Sequence, residues 1–329
     1  MSTITIIGDG GWGTALGIIL HGNGHKVTLW GPDAAYLEEV RTTGENRKFL
    51  PGLALPPGLQ WTADEATALN GADGMVIAVP SRYYAATLQR FAPHLPSRYR
   101  AVSVSKGFDP ATHQRLSALA AATWNHAGLA ALSGPSHAEE AARGVPTAVT
   151  VASTDNEEAV FWQDAFNNRT FRVYTTDDII GVETGGALKN VIAIAAGMCD
   201  GLGYGDNTKA ALMTRGLAEI ARLGVRLGAQ PATFSGLSGI GDLMVTGMSR
   251  HSRNRGVGER IGRGESIDAI LGGMVQVAEG VWTARAACQL ADELGLELPI
   301  TREVHAILYE GKNPREAVQS LMSRPPKPE

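Results

Sequence analysis

The chain is poor in several features that would mark it for particular protein classes. It carries only two cysteines in 329 residues, Cys199 and Cys288. Both lie in apolar helical surroundings without Cys-x-x-Cys spacing, so neither a disulfide framework nor a thiolate metal site is indicated, and a reducing compartment fits. Net charge is small: 29 Lys+Arg against 33 Asp+Glu give -4, with a pI near 6.1. There is thus no global basic field to make nucleic acid or an anionic membrane surface the main partner, although small anions can still be bound locally. No apolar run approaches the length of a membrane span, and the opening residues MSTITIIGDG lack a basic region followed by an apolar one. The expectation is a soluble, cytoplasmic protein without stable membrane insertion. Repeats and low-complexity tracts are also missing; only the end, 323–329, reads as a disordered tail.

Glycine, by contrast, is abundant at 40 residues, spread among turns and helix starts. The most informative cluster follows the β-branched run Thr3 to Ile7: Gly8-Asp9-Gly10-Gly11-Trp12-Gly13, then the helical pattern TALGIIL. Strand, glycine turn and helix in that order suit a dinucleotide. Gly8 permits the tight turn, Gly10 lets backbone approach a pyrophosphate, Gly13 allows close helix–strand packing, and the helix N-terminus faces the anion. A second strand, Lys26 to Trp30, ends in Gly31-Pro32-Asp33. An acid at that end would hold the adenosine ribose of NAD and a base the 2′-phosphate of NADP. Asp33 comes late for the ribose and suits a cap for a helix Ala34 to Val40. The choice between NAD and NADP stays open.

Strands then alternate with helices: helix Asp64 to Leu69, strand Gly74 to Val79, helix Tyr83 to Phe91, strand Ala101 to Ser105, helix Gln114 to Trp124 and strand Leu129 to Leu132. Helix Ser136 to Ala142, strand Thr147 to Ala152, helix Glu157 to Phe166 and strand Phe171 to Tyr174 follow. This predicts an α/β fold, a doubly wound, mostly parallel sheet of Rossmann type over 1–180. Its ligands gather at the strand C-terminal ends. There Lys106 could reach a substrate anion or a developing oxyanion. Ser136, after Gly134-Pro135, either helps hold a phosphate or is an ordinary helix cap with Glu139 as its capping-box partner.

Residues 181–329 read as all-helical, with helices over Lys209 to Leu227, Ala278 to Leu294, Ile300 to Glu310 and Pro314 to Met322. They open with a helix from about Val182 to Cys199, rich in small residues (Gly185, Gly186, Ala193, Ala196) that let other backbones approach. Lys189 and Asn190 interrupt it. A lysine there either snorkels at a seam or loses water, which lowers its pKa toward that of a usable base. Two loops are expected beyond it. In Ser238 to Thr246, Asp242 is either a helix cap or a partner for Lys189 or a substrate hydroxyl. In Arg250-His251-Ser252-Arg253-Asn254-Arg255, three arginines offer forks that match phosphate oxygens. With no aromatic residues interleaved to stack bases, a small phosphate suits this loop better than nucleic acid does.

With these residues in place, the chain closely resembles the bacterial type of NAD(P)-dependent glycerol-3-phosphate dehydrogenase. The likeness rests on GDGGWGTAL, NRKFLPG at Asn46, VPS at Val79, SVSKG at Ser103, SGPSHAEE at Ser133, GVETGGALKNVIAIAAG at Gly181 and TRGLAEI at Thr214. GLSGIGDLMVT at Gly236, SRNRGVG at Ser252 and VAEGVWTA at Val277 complete it. The resemblance implies interconversion of sn-glycerol 3-phosphate and dihydroxyacetone phosphate, supplying phospholipid synthesis. It implies Lys189 as catalytic lysine, and Lys106, Gly134, Ser136, Asp242, Ser252, Arg253 and Asn254 as substrate-side residues. Gly11, Trp12, Lys106, Ala138, Arg253, Val277 and Glu279 match dinucleotide contacts, and Asn190 and Thr246 match neighbours of the reaction centre. Pro32 stands where NADP-using members often carry a basic residue. The resemblance implies no metal, and a homodimer is open. The competing readings are another two-domain dehydrogenase, acting on 3-hydroxy acids or 6-phosphogluconate, and a non-catalytic NAD(H)-sensing protein.

Overall fold

A computed structural model describes residues 1–126, 128–274 and 276–326. Its first half forms an eight-stranded sheet: β1 (Thr3–Ile7), β2 (Lys26–Trp30), β3 (Gln60–Thr62), β4 (Gly74–Ile77), β5 (Arg100–Ser103), β6 (Ala130–Ser133), β7 (Thr147–Ala152) and β8 (Phe171–Thr176). The spatial order is β3-β2-β1-β4-β5-β6-β7-β8. Every neighbouring pair is parallel except β6 and β7. Parallel strands are covered on both faces, and successive residues here do enter opposite layers. Ile4, Ile6, Val76 and Val102 join one apolar cluster with Leu16, Leu29 and Trp162. Ile7, Met75, Ile77 and Ala101 join another with Tyr84, Phe91 and Trp124. The order of connection reverses between β1 and β4, and such a switch point leaves a crevice at the strand ends.

The connecting helices are α1 (Gly11–Gly22), α2 (Ala34–Thr43), α3 (Glu65–Leu69), α4 (Ser81–Phe91), α5 (Leu116–Trp124), α6 (Ala138–Ala141) and α7 (Asn156–Phe166). Asp33 caps α2 as expected, its Oδ1 accepting from the N–H groups of Ala35 and Tyr36 at 3.1 Å each. Ser136 does not cap α6. His137 precedes that helix without a side-chain cap, and the Ser136 hydroxyl donates instead to the Gly134 carbonyl at 3.0 Å. The three-residue strand β3, at the sheet edge, is too short to give an alternation that sequence reading can detect.

Beyond Thr176 all regular structure among the described residues is helical. It comprises α8 (Ile179–Gly201), α9 (Asp206–Arg226), α10 (Asp242–Met248), α11 (Arg253–Gly262), α12 (Ile267–Gly272), α13 (Glu279–Glu293), α14 (Pro299–Tyr309) and α15 (Pro314–Met322), with a tight helical turn at Pro231–Ser235 and a wide one at Leu237–Gly241. Both segments expected as loops are therefore largely helical. Their glycine and arginine content hides helices whose stability comes from packing against α8. α8 is itself long and apolar enough to cross a membrane, with a mean hydropathy of 1.4 over its best window. Its apolar residues are nevertheless interrupted by Glu183, Lys189 and Asn190, so the sequence holds no unbroken apolar run of that length here. Protein covers the helix, however, with 89% of that window buried. Glycine makes the covering possible: a methyl group on Gly197 would run into the Arg255 carbonyl, and one on Gly258 into the Ile194 carbonyl. α8 and α11 thus meet backbone to backbone.

Cys199 and Cys288 are buried free thiols, as expected. At the end of the chain, Ser323 to Pro326 are exposed and Arg324 pairs with Glu297 at 2.8 Å. The remainder of the expected tail, 327–329, lies outside the described residues.

Candidate active site

The glycine turn joins β1 to α1 at the switch point. Gly8 has φ +129°, and a methyl group on it would strike the Ala78 carbonyl at the end of β4. One on Gly13 would strike the Gly8 carbonyl. Gly10 is the opposite case, with nothing within 4 Å of where a Cβ would stand. Gly10 caps α1 without any side-chain hydrogen bond, and the first turn holds no acid. The open face and uncapped N–H groups fit an anionic ligand brought against bare backbone. Near the turn, Trp12 has a buried indole N–H without a partner, and Ala138 lies 3.8 Å from the Cβ position of Gly11. These residues fit a dinucleotide.

The polar centre forms where the ends of β5 and β6 meet α8 and α10. Lys189 is 6% exposed and Asp242 1%. The Lys189 ammonium donates to Asp242 Oδ1 at 2.5 Å and to Thr246 Oγ1 at 2.7 Å. From the sheet side, the Lys106 ammonium donates to Asp242 Oδ2 at 2.6 Å and to the Gly134 carbonyl at 3.3 Å. Asp242 is the first residue of α10, not its cap, so the capping account fails and its carboxylate bridges two lysines. The wide turn before it redirects the chain, and such turns are frequent at functional sites. Ser133 Oγ adds a 3.2 Å bond to Asp242 Oδ2. Sequence reading missed Ser133, because a serine ending a strand carries no signal until a carboxylate arrives from 109 residues away.

Burial is the largest influence on Lys189 and lowers its pKa from 10.5 to about 7. The Asp242 carboxylate resists this, and the Lys106 charge reinforces it. Burial alone would raise the pKa of Asp242, but its two ammonium partners outweigh that and hold it below the usual carboxylate value. Snorkelling is ruled out for Lys189: its ammonium is in the interior, tied to one carboxylate and one hydroxyl.

Around this centre the other expected residues separate into groups. Ser252 caps α11, its Oγ accepting from the Arg255 N–H at 3.2 Å. Asn254 is buried, donating to Asn190 Oδ1 at 2.9 Å and accepting from the Gly280 N–H at 2.9 Å. Arg253 stays exposed and donates to the Val277 carbonyl at 3.0 Å. Arg255 does not join it, being held by Asp200 at 2.6 Å and Glu259 at 3.2 Å. The arginine cluster thus divides, because helical spacing turns Arg255 toward Asp200 and Glu259 and away from Arg253. Glu279 opens α13 and reaches the sheet half, accepting from the Ser81 N–H at 3.0 Å and from its hydroxyl at 2.5 Å. Burial raises its pKa. Sequence reading also missed His137, whose buried Nε2 has no partner and whose ring centre lies 5.7 Å from that of His251.

Residues 3–159 match the N-terminal part, and residues 178–319 the C-terminal part, of the NAD-dependent glycerol-3-phosphate dehydrogenase family. A relative from Geobacillus thermodenitrificans, named glycerol-3-phosphate dehydrogenase (NAD(P)+), is 50% identical over 333 residues, covering 100% of this chain and 97% of its own. One of the same name from Geobacillus kaustophilus is 49% identical over 332 residues, covering 100% and 96%. Among solved structures, glycerol-3-phosphate dehydrogenase from Coxiella burnetii superposes with a TM-score of 0.95 at 36% identity, covering 98% of this chain and 99% of that one. With a Rossmann half, a helical half and matches over nearly its whole length, the chain belongs to the family of NAD(P)-dependent glycerol-3-phosphate dehydrogenases.

Proposed function

We propose that the chain interconverts sn-glycerol 3-phosphate and dihydroxyacetone phosphate with Lys189 as the proton-transferring group. The observation that carries this is the buried Asp242 carboxylate, shared by Lys106 from the sheet half and Lys189 from α8. When bound, the nicotinamide accepts or returns the hydride of carbon 2. In oxidation the neutral Lys189 amine takes the proton of the C2 hydroxyl, and the carbonyl forms as hydride leaves. In reduction the Lys189 ammonium gives that proton to the ketone oxygen. With a pKa near 7, both forms of Lys189 are accessible at neutral pH, so one residue serves both directions. Asp242 and Thr246 hold the Nζ in place, and Lys106 orients the substrate oxygen.

Residues 1–180 are assigned to the cofactor and 181–329 to the substrate. Gly8, Gly10, Gly11, Trp12, Gly13, Lys106, Ala138, Arg253, Val277 and Glu279 would hold the dinucleotide. Arg253, together with Ser252, Asn254, Gly134 and Ser136, is assigned to the substrate phosphate. A cytoplasmic enzyme supplying glycerol 3-phosphate for phospholipid synthesis is the setting this activity suits, with a homodimer as the assembly to test.

The test is dihydroxyacetone phosphate reduction, followed at 340 nm, by the wild type and Lys189→Ala. Loss of general acid catalysis should lower kcat by roughly 100- to 10,000-fold, while NADH affinity measured by fluorescence persists. Near-normal turnover in Lys189→Ala would sink the assignment.

A further inference from the structure

The second strand of a dinucleotide fold commonly ends in an acid that binds the adenosine ribose hydroxyls. Here β2 ends at Trp30 and is followed by Gly31 and Pro32, neither of which can supply one. The first acid beyond, Asp33, is already engaged in capping α2. The space a side chain at position 31 would fill is nevertheless taken. The carboxylate of Asp9, in the second position of the glycine turn, lies 2.6 Å from where a Gly31 Cβ would stand. Gly31 is what makes room for it.

The Asp9 backbone, not its side chain, secures the turn. Its carbonyl accepts from Asn46 Nδ2 at 2.8 Å and Thr14 Oγ1 at 3.4 Å. Burial raises the pKa of the carboxylate, its own backbone N–H and the attraction of Lys48 oppose that rise, and Asp33 adds a second negative charge. The Lys48 ammonium sits over the rings of Tyr36 and Phe49, 5.4 and 5.0 Å from their centres. A two-carboxylate setting at the end of β2 accepts hydrogen bonds from vicinal hydroxyls and repels a phosphate dianion.

We infer that Asp9, reaching from the glycine turn into the space left by Gly31, replaces the missing acid of β2 and makes the chain select NAD(H) over NADP(H). This rests on the dinucleotide reading of the glycine turn. It also places the selectivity in a residue that position along β2 would not reveal.

The test is binding, without turnover. NADH and NADPH are titrated by nicotinamide fluorescence, and AMP and adenosine 2′,5′-bisphosphate by calorimetry, against the wild type, Asp9→Asn and Asp9→Ser. The wild type should hold NADH at least about tenfold tighter than NADPH, as repulsion between a carboxylate and a nearby phosphate implies. Both substitutions should shrink that ratio by about as much, mainly by tightening NADPH and the bisphosphate. Equal wild-type affinities, or an unchanged ratio in Asp9→Asn and Asp9→Ser with NADH still bound, would overturn this inference alone. Failure of both dinucleotides to bind the wild type would overturn it together with the reading of the turn.

Discussion

Lys189 carries a steep electrostatic burden, and stability should report it. Its folded pKa is about 7 against an ordinary 10.5, a gap of about 3.5 units, or roughly 5 kcal/mol at 1.36 kcal/mol per unit. Below pH 7 both folded and unfolded chains hold the proton, so this residue adds no slope. Between pH 7 and 10.5 the unfolded chain holds a proton that the folded one has released, so stability rises with pH. Above 10.5 the contribution is flat again. Integrated from pH 7 to 9, the gain is roughly 2 kcal/mol. Lys189→Met removes the titration while leaving Asp242 paired to Lys106. Urea denaturation of both proteins at pH 6, 7, 8 and 9 isolates the effect as a difference, since other titrating groups are shared. The wild type should gain roughly 2 kcal/mol relative to Lys189→Met between pH 7 and 9, with no divergence between pH 6 and 7 beyond a few tenths. Parallel curves would refute the lowered pKa and, with it, the account of how Lys189 serves as a base near neutrality.

The same titration sets opposite pH dependences for the two directions. Glycerol 3-phosphate oxidation should rise through a midpoint near 7 and dihydroxyacetone phosphate reduction fall through it; profiles of the same sense would contradict a single acid–base group. Arg253→Ala should raise KM for the phosphorylated substrate by roughly tenfold or more, as loss of a charged hydrogen bond implies, with kcat changed much less. On α11, Gly258→Ala should cost about 2 to 4 kcal/mol in urea denaturation, because the new methyl meets the Ile194 carbonyl. Gly256→Ala on the same helix meets nothing within 4 Å and should be neutral or stabilising by up to about 1 kcal/mol.

Local rules with short reach made most of the sheet half legible in the sequence. Apolar strand runs, the Gly8 to Gly13 turn and the Asp33 cap each depend on neighbours a few residues away. The chain alone therefore determined the α/β class, the glycine turn that opens the Rossmann half and the helical second half. It also marked Lys189 as unusual, because a lysine amid small apolar residues needs an explanation. It did not decide among the roles open to Lys189, Asp242 and the arginines, since each role depends on partners distant in sequence. Asp242 became a bridge, and not a cap, when α10 packed on α8 against Lys106. Arg255 left the candidate phosphate site because α11 turned it toward Asp200, and Ser133 entered the polar centre only at the end of β6. The Asp9 carboxylate acquired meaning only when Gly31 was found beneath it. Backbone conformation follows from nearby residues, whereas the pKa and availability of a side chain follow from what surrounds it. Only the tertiary structure supplies those surroundings.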